Sequence, residues 1–128
     1  MNLKMAIIGL ACAIGSTSHA ARLLCAGKYM NSFNVTVQAG LNSRPQINTD
    51  IHVTVVGPNM NKTADMQLVE SQVIPQHSIV ASAKNEDGTG RLIAPKYNAQ
   101  NQNYYGTLSA DGGTLGTVTF PVACVLQR

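Results

Sequence analysis

Two cysteines, Cys25 and Cys124, constrain the fold of this chain more than any other feature. They stand near opposite ends of the segment that follows a predicted secretory signal. In an oxidising compartment such a pair forms a disulfide and stays oxidised. We therefore predict one structural bridge that joins the first and last strands of a single domain.

Residues 1–20 have the three parts of an export signal. Lys4 gives the positive start, residues 5–14 form an apolar run, and small residues precede the predicted cleavage point after Ala20. Cleavage there leaves one domain at residues 21–128, located in the periplasm or secreted. The features of this segment are those of bacterial signal peptides.

A third cysteine, Cys12, lies inside the apolar run of the signal. We interpret it as a small apolar filler rather than a lipidation site, because Gly9 stands where lipidation requires an aliphatic residue. The run is also too short to cross a bilayer, and no later segment is longer. The sequence therefore predicts no stable membrane span.

Charge is sparse, with a formal net charge of +3 and only 12% charged residues. The basic residues are scattered singly along the chain, so they form no stripe of the kind that binds nucleic acid. Asn, Gln, Ser and Thr are plentiful instead. We expect a surface of neutral hydrogen-bonding groups and a partner that is a protein or a glycan.

Short stretches of alternating apolar and polar residues fill the mature sequence. Residues 33–39, 51–55 and 117–126 each place their apolar side chains on one face, as half-buried strands do. Residues 66–74 fit either a helix or a strand with a bulge. We predict an all-β fold, either a small single-domain antiparallel β-sandwich or a barrel.

Turn residues separate these stretches. Residues 85–88 and 111–113 carry the Asp-Gly dipeptide that favours tight β-hairpins. Pro95 predicts a strand edge or exit, and Pro121 predicts an edge or a bulge in the last strand, because proline has no N–H to donate to a ladder.

The most suggestive stretch for binding is residues 96–105, which combines three tyrosines with side-chain amides. Aromatic rings offer flat stacking surfaces and amides offer paired donors and acceptors, as recognition of a sugar or peptide requires. We predict a partner-binding site at Tyr97, Asn101, Tyr104 and Tyr105. Replacing Tyr104 or Tyr105 by Ala should then abolish partner capture and leave folding intact.

Catalytic groups are few. Asp50 and His52 stand two residues apart, so a strand places them on one face as an acid and the base it orients. No nucleophile motif accompanies them, and both cysteines of the mature chain are committed to the bridge. We therefore expect a non-catalytic protein with no cofactor.

Soft metal ligands are present but lack the spacing of a metal motif. Met30, Met60, Met66, His52 and His77 are the donor types that exported copper proteins use. Most of these side chains fit core or surface positions, so we predict no metal site and keep copper binding as an alternative.

An early cysteine, the Phe-x-Val-x-Val strand that begins at Phe33 and a cysteine in the last strand form a layout similar to that of bacterial periplasmic lysozyme inhibitors. The resemblance implies a small β protein closed by a disulfide and an activity against a cell-wall hydrolase. The Ser-Gly-containing loop that such inhibitors insert into lysozyme is missing near Tyr97. Hydrolase inhibition is therefore an alternative to the binding of another protein or a glycan.

Overall fold

The computed structural model describes residues 21–112 and 116–127, and the predicted signal at residues 1–20 lies outside them. The described residues form strands and no helix, as predicted. The strands are β1 (Ala21–Tyr29), β2 (Phe33–Leu41), β3 (Ile51–Gly57), β4 (Met60–Ile74), β5 (Ser78–Asn85), β6 (Gly88–Asn98), β7 (Asn103–Asp111) and β8 (Thr117–Gln127).

Each strand pairs antiparallel with the next one in the chain, and β8 pairs antiparallel with β1. The result is a closed up-and-down barrel, which decides between the two architectures that the sequence pattern allowed. Closure gives every strand two neighbours and thereby removes most of the exposed sheet edges that promote aggregation.

The disulfide lies on the seam that closes the barrel. Cys25 of β1 stands directly opposite Cys124 of β8, the two Cα atoms are 4.0 Å apart, and the two sulfurs are bonded. Both residues are 1% exposed, so the bridge is part of the core. Closing a loop of this length contributes up to about 4.7 kcal/mol in the chain-entropy treatment. The predicted bridge is confirmed, and it is consistent with an oxidising, exported location.

Inward-facing side chains fill the middle of the barrel. An eight-stranded barrel is just wide enough for its own side chains, and β5 and β6 contribute several small ones. Ala81, Ala83 and Ala94 are each at most 4% exposed, as are Leu23 and Ile79. A void of only about 30 Å³ remains there. The middle of the barrel is therefore closed to ligands.

The ambiguous residues 66–74 belong to strand β4, which resolves the choice in favour of a bulged strand. The register between β4 and β5 shifts between Leu68 and Glu70, and Val69 is left 56% exposed. The bulge adds one residue to β4 and so breaks the simple alternation on which the sequence pattern depends.

Pro95 lies inside β6, one residue past the last pair of the ladder to β5 at Ala94, so it marks a local edge rather than the end of the strand. The register between β6 and β7 shifts between Ile93 and Lys96, so Ala94 and Pro95 together face Gly106. A bulge tolerates a residue without an N–H. A Cβ on Gly106 would collide with the backbone of Ile93, and glycine permits this close approach.

Pro121 does not mark an edge, because β8 has a neighbour on both sides. It pairs with Thr107 of β7, and the ladder to β1 stops one residue away, at the pair Gly27 and Val122. Pro121 therefore lies one residue beyond the last pair of the ladder between β1 and β8.

Both predicted hairpins are present. The side chain of Asn85 accepts hydrogen bonds from the backbone N–H groups of Asp87 and Gly88, which fixes the β5–β6 turn. β7 and β8 are paired as far as Asp111 and Thr117. Residue 113 of the second hairpin pattern lies outside the described residues.

Candidate functional site

The barrel has two ends that differ in how they are covered. In an up-and-down barrel successive connections alternate between the ends. We call the end that carries residues 42–50, 75–77 and 99–102 the closed end. The opposite end, which carries the turns at residues 30–32 and 58–59 together with the β5–β6 and β7–β8 connections, is the open end.

The β2–β3 loop, residues 42–50, packs at the closed end against β2 and β4. The side chain of Asn42 starts it by accepting hydrogen bonds of 2.9 Å from the backbone N–H groups of Arg44 and Gln46, a turn that asparagine favours. Ile47 then pairs with Leu41 and is 6% exposed. The loop thus contributes an apolar side chain to the core.

Gln46 fastens this loop to the wall of the barrel. Its side-chain oxygen accepts a 3.0 Å hydrogen bond from the backbone N–H of Val73, and its side-chain nitrogen donates a 2.8 Å bond to the carbonyl of the same residue. Two bonds to one residue of β4 fix both the position and the orientation of the loop.

Two of the tyrosines predicted to bind a partner belong to the interior of the closed end. Tyr97 and Tyr104 form a cross-strand pair with ring centroids 4.7 Å apart, and Tyr104 is 3% exposed. The Tyr104 hydroxyl accepts a 2.7 Å hydrogen bond from the backbone N–H of Gln76. Tyr104 is thus a core residue, and the expectation that Tyr104→Ala leaves folding intact does not fit its position.

The other two predicted residues lie on the outside. Tyr105 is 37% exposed, and its hydroxyl accepts hydrogen bonds from the side-chain amides of Asn101 at 2.8 Å and Asn103 at 3.4 Å. Adjacent strand residues point to opposite faces, which is why Tyr104 and Tyr105 separate. The structure therefore divides the predicted site into an inner pair and an outer pair.

The open end contains an apolar cavity of about 320 Å³, which we call the open-end cavity. Its rings meet near the β1–β2 turn, where the Tyr29 centroid lies 6.3 Å from Phe33 and 5.8 Å from Phe120. The lining residues are Tyr29, Phe33, Val35, Val53, Val55, Met60, Lys62, Leu108, Ala110, Val118 and Phe120.

Short turns explain why this cavity persists. The β1–β2, β3–β4 and β5–β6 connections at the open end contain two or three residues each, too few to fold back over the barrel. No described segment crosses this end. Residues 60–66 of β4 also pair with β3 alone, since pairing with β5 begins at Gln67. The barrel wall is therefore lowest on the side of β4 that faces β5.

The two histidines of the described residues, His52 and His77, lie outside the barrel interior. His52 contacts the carboxylate of Asp65, on the neighbouring strand, rather than that of Asp50 as the sequence spacing predicted. His77 is hydrogen-bonded at 2.9 Å to the hydroxyl of Ser78 in the β4–β5 turn region. Both histidines are exposed. The described residues contain no group of three His, Cys, Asp or Glu side chains placed to hold a metal.

The donors considered for copper do not converge. Met30 and Met60 lie at the turns of the open end, whereas His52 and His77 lie towards the closed end and face outward. Met66 packs against the core. These five side chains therefore do not form one site, and copper binding gains no geometric support.

The sequence pattern missed the open-end cavity. The alternation already placed the rings of Phe33 and Phe120 on the inner face, and Tyr29 precedes a short turn. The sequence feature that could have indicated this cavity was a set of aromatic residues at strand ends beside short turns. The pattern does not show which strand ends lie together, so it did not predict a cavity.

Comparison with protein families, with curated proteins and with solved structures finds no match to this chain. Within the described ranges there is no helix of the length and apolarity needed to cross a membrane.

Proposed function

We propose that this protein is an exported, non-catalytic binding protein that takes a small apolar ligand into the open-end cavity. One observation carries the proposal: the barrel is packed through its middle and covered at the closed end, yet it keeps an aromatic-lined cavity of about 320 Å³ at the other end. Ligand sites in proteins are concave, mostly apolar and roughly 300–1,000 Å³ in volume.

The lining favours burial of apolar surface over polar recognition. Ten of the eleven lining side chains are aliphatic, aromatic or thioether groups. Burial contributes about 2.5 kcal/mol for each ~100 Å² of apolar surface removed from water. A ligand with a compact apolar body gains most from such a cavity, and the volume suits a small molecule.

A titration with the neutral fluorescent probe phenylnaphthylamine tests the proposal. We expect saturable binding to the mature protein, and we expect Ala110→Phe to weaken it by about tenfold or more, because the new ring occupies the cavity. Ala26→Phe is the matched control, since Ala26 is exposed on β1 and does not line the cavity. Equal binding by all three proteins, or none by the unmodified protein, contradicts the proposal.

The outer pair supports a second candidate function, capture of a protein or glycan partner. Tyr105 presents its ring on the outer face near Ile93, which is 39% exposed, and two amides hold its hydroxyl. A ring fixed in this way loses little conformational entropy on binding, as in tyrosine-rich recognition surfaces. A Tyr105→Ala variant tests this candidate.

A further inference from the structure

Lys62 is directed to the open-end cavity by the register of β3 and β4. It pairs directly with Val55, and directly paired residues of neighbouring strands share a face of the sheet. Val55 lines the cavity, and so does Lys62. Lys62 is the single charged side chain among the described lining residues.

The described acidic groups leave this ammonium without a salt bridge. The ion pairs within the described ranges are His52 with Asp65 and Arg91 with Glu70, and neither includes Lys62. The acids Asp87 and Asp111 line a neighbouring groove beside the β5–β6 hairpin, and neither lines the open-end cavity. The Lys62 ammonium therefore stands at the apolar cavity, and the nearby carboxylates line a different groove.

The position of Lys62 along β4 places it at the rim. It is two residues from Met60, where the strand begins, and it is exposed. A lysine at such a boundary lays its aliphatic stem along apolar surface and keeps the ammonium in water. A ligand whose body fills the cavity would therefore carry its polar end at the rim, within reach of this ammonium.

We infer that the ligand of the open-end cavity is an anionic amphiphile with a short apolar tail inside the cavity and a carboxylate head beside Lys62. This inference rests on the proposed function and adds the ligand class. Charge complementarity selects the head group, and the cavity volume limits the tail to a short chain.

Calorimetric titration with decanoate and with decanol, below the concentration at which decanoate forms micelles, tests the inference. The two probes share a tail and differ in charge. We expect decanoate to bind about threefold to fivefold more tightly, in the upper part of the range for an exposed charge pair. Higher salt should reduce this preference, because screening weakens exposed charge pairs.

Two variants of Lys62 and one control complete the test. Lys62→Gln should abolish the preference for decanoate, and Lys62→Glu should reverse it, with the preference taken as the ratio of the two affinities within each variant. Lys28→Gln is the matched control, because Lys28 is exposed near the open end and does not line the cavity. It should keep the preference.

The outcomes separate the two proposals. Equal affinity of the unmodified protein for both probes, or a preference that survives Lys62→Gln, overturns the head-group inference and leaves apolar binding standing. Failure of both probes to bind contradicts the proposed function itself.

Discussion

The two ends of the barrel are built from the same eight strands, yet one is sealed and the other is not. At the closed end, residues 42–50 bring Ile47 into the core, Gln46 is tied to Val73, and Tyr104 is buried beneath the β4–β5 turn. At the open end, the described turns are two or three residues long and leave a cavity of about 320 Å³. Loop length and loop apolarity therefore decide which end of the barrel is covered.

Residues that form the cover of one end of the barrel cannot also cover the other end. The nine residues between β2 and β3 supply an apolar side chain and two hydrogen bonds to the wall, which offset part of the conformational entropy lost when the loop is ordered. A tight turn orders few residues and offers no side chain that reaches the axis. A covered end and an apolar cavity at the opposite end therefore coexist in one small domain.

The largest effect should come from removing the ring that seals the closed end. Tyr104→Ala should lower the free energy of unfolding by about 3–5 kcal/mol, as for other large aromatic truncations in a core. Tyr29→Ala is the comparison at the open end, where the ring borders the cavity, and its cost should be clearly smaller. Urea denaturation of the unmodified protein and the two variants gives their free energies of unfolding.

Equal losses for Tyr104→Ala and Tyr29→Ala would mean that the two ends are packed alike. That result would remove the distinction on which the proposed ligand site depends. Tyr104→Phe refines the measurement, because it keeps the ring and removes only the hydrogen bond from Gln76. We expect it to cost about 1 kcal/mol.

The sequence predicted the strands and the bridge because both depend on local patterns. Alternation located the apolar faces of β2, β3 and β8, and the two cysteines that follow the predicted signal allow one intramolecular pairing. The choice between sandwich and barrel depends on which distant strands pair, and alternation does not encode that. The bulges at Val69 and Pro95 also shift the alternation by one residue, which concealed the length of β4 and β6.

The candidate site was less accessible to sequence reasoning. Composition grouped Tyr97, Asn101, Tyr104 and Tyr105 because they are close in sequence, although strand geometry sends Tyr104 and Tyr105 to opposite faces. The cavity residues come from six different strands, so no short motif contains them. Lys62 shows its inward position only once its pairing with Val55 is known.

A smaller effect should follow from releasing the loop that covers the closed end. Gln46→Ala removes two hydrogen bonds to Val73 and should lower the free energy of unfolding by about 1–2 kcal/mol. Amide hydrogen exchange should accelerate in residues 42–50 beyond the change elsewhere, since the loop loses its anchor to β4.

Gln38→Ala is the control for this variant, because Gln38 is exposed on β2 and lies outside the loop. It should leave exchange in residues 42–50 unchanged. If Gln46→Ala also leaves that exchange unchanged, the loop is held by its apolar contacts alone, and the side chain of Gln46 does not maintain the difference between the two ends.

The smallest change in stability should come from the outer face of the barrel wall. Tyr105→Ala should alter the free energy of unfolding by less than about 0.5 kcal/mol, as for most surface substitutions. The same variant should lose capture of a protein or glycan partner in a pull-down with the mature protein as bait. Thr107→Ala, two residues along the same face of β7, should retain it. Unchanged capture by Tyr105→Ala would exclude the outer pair as a binding surface and leave the open-end cavity as the remaining candidate.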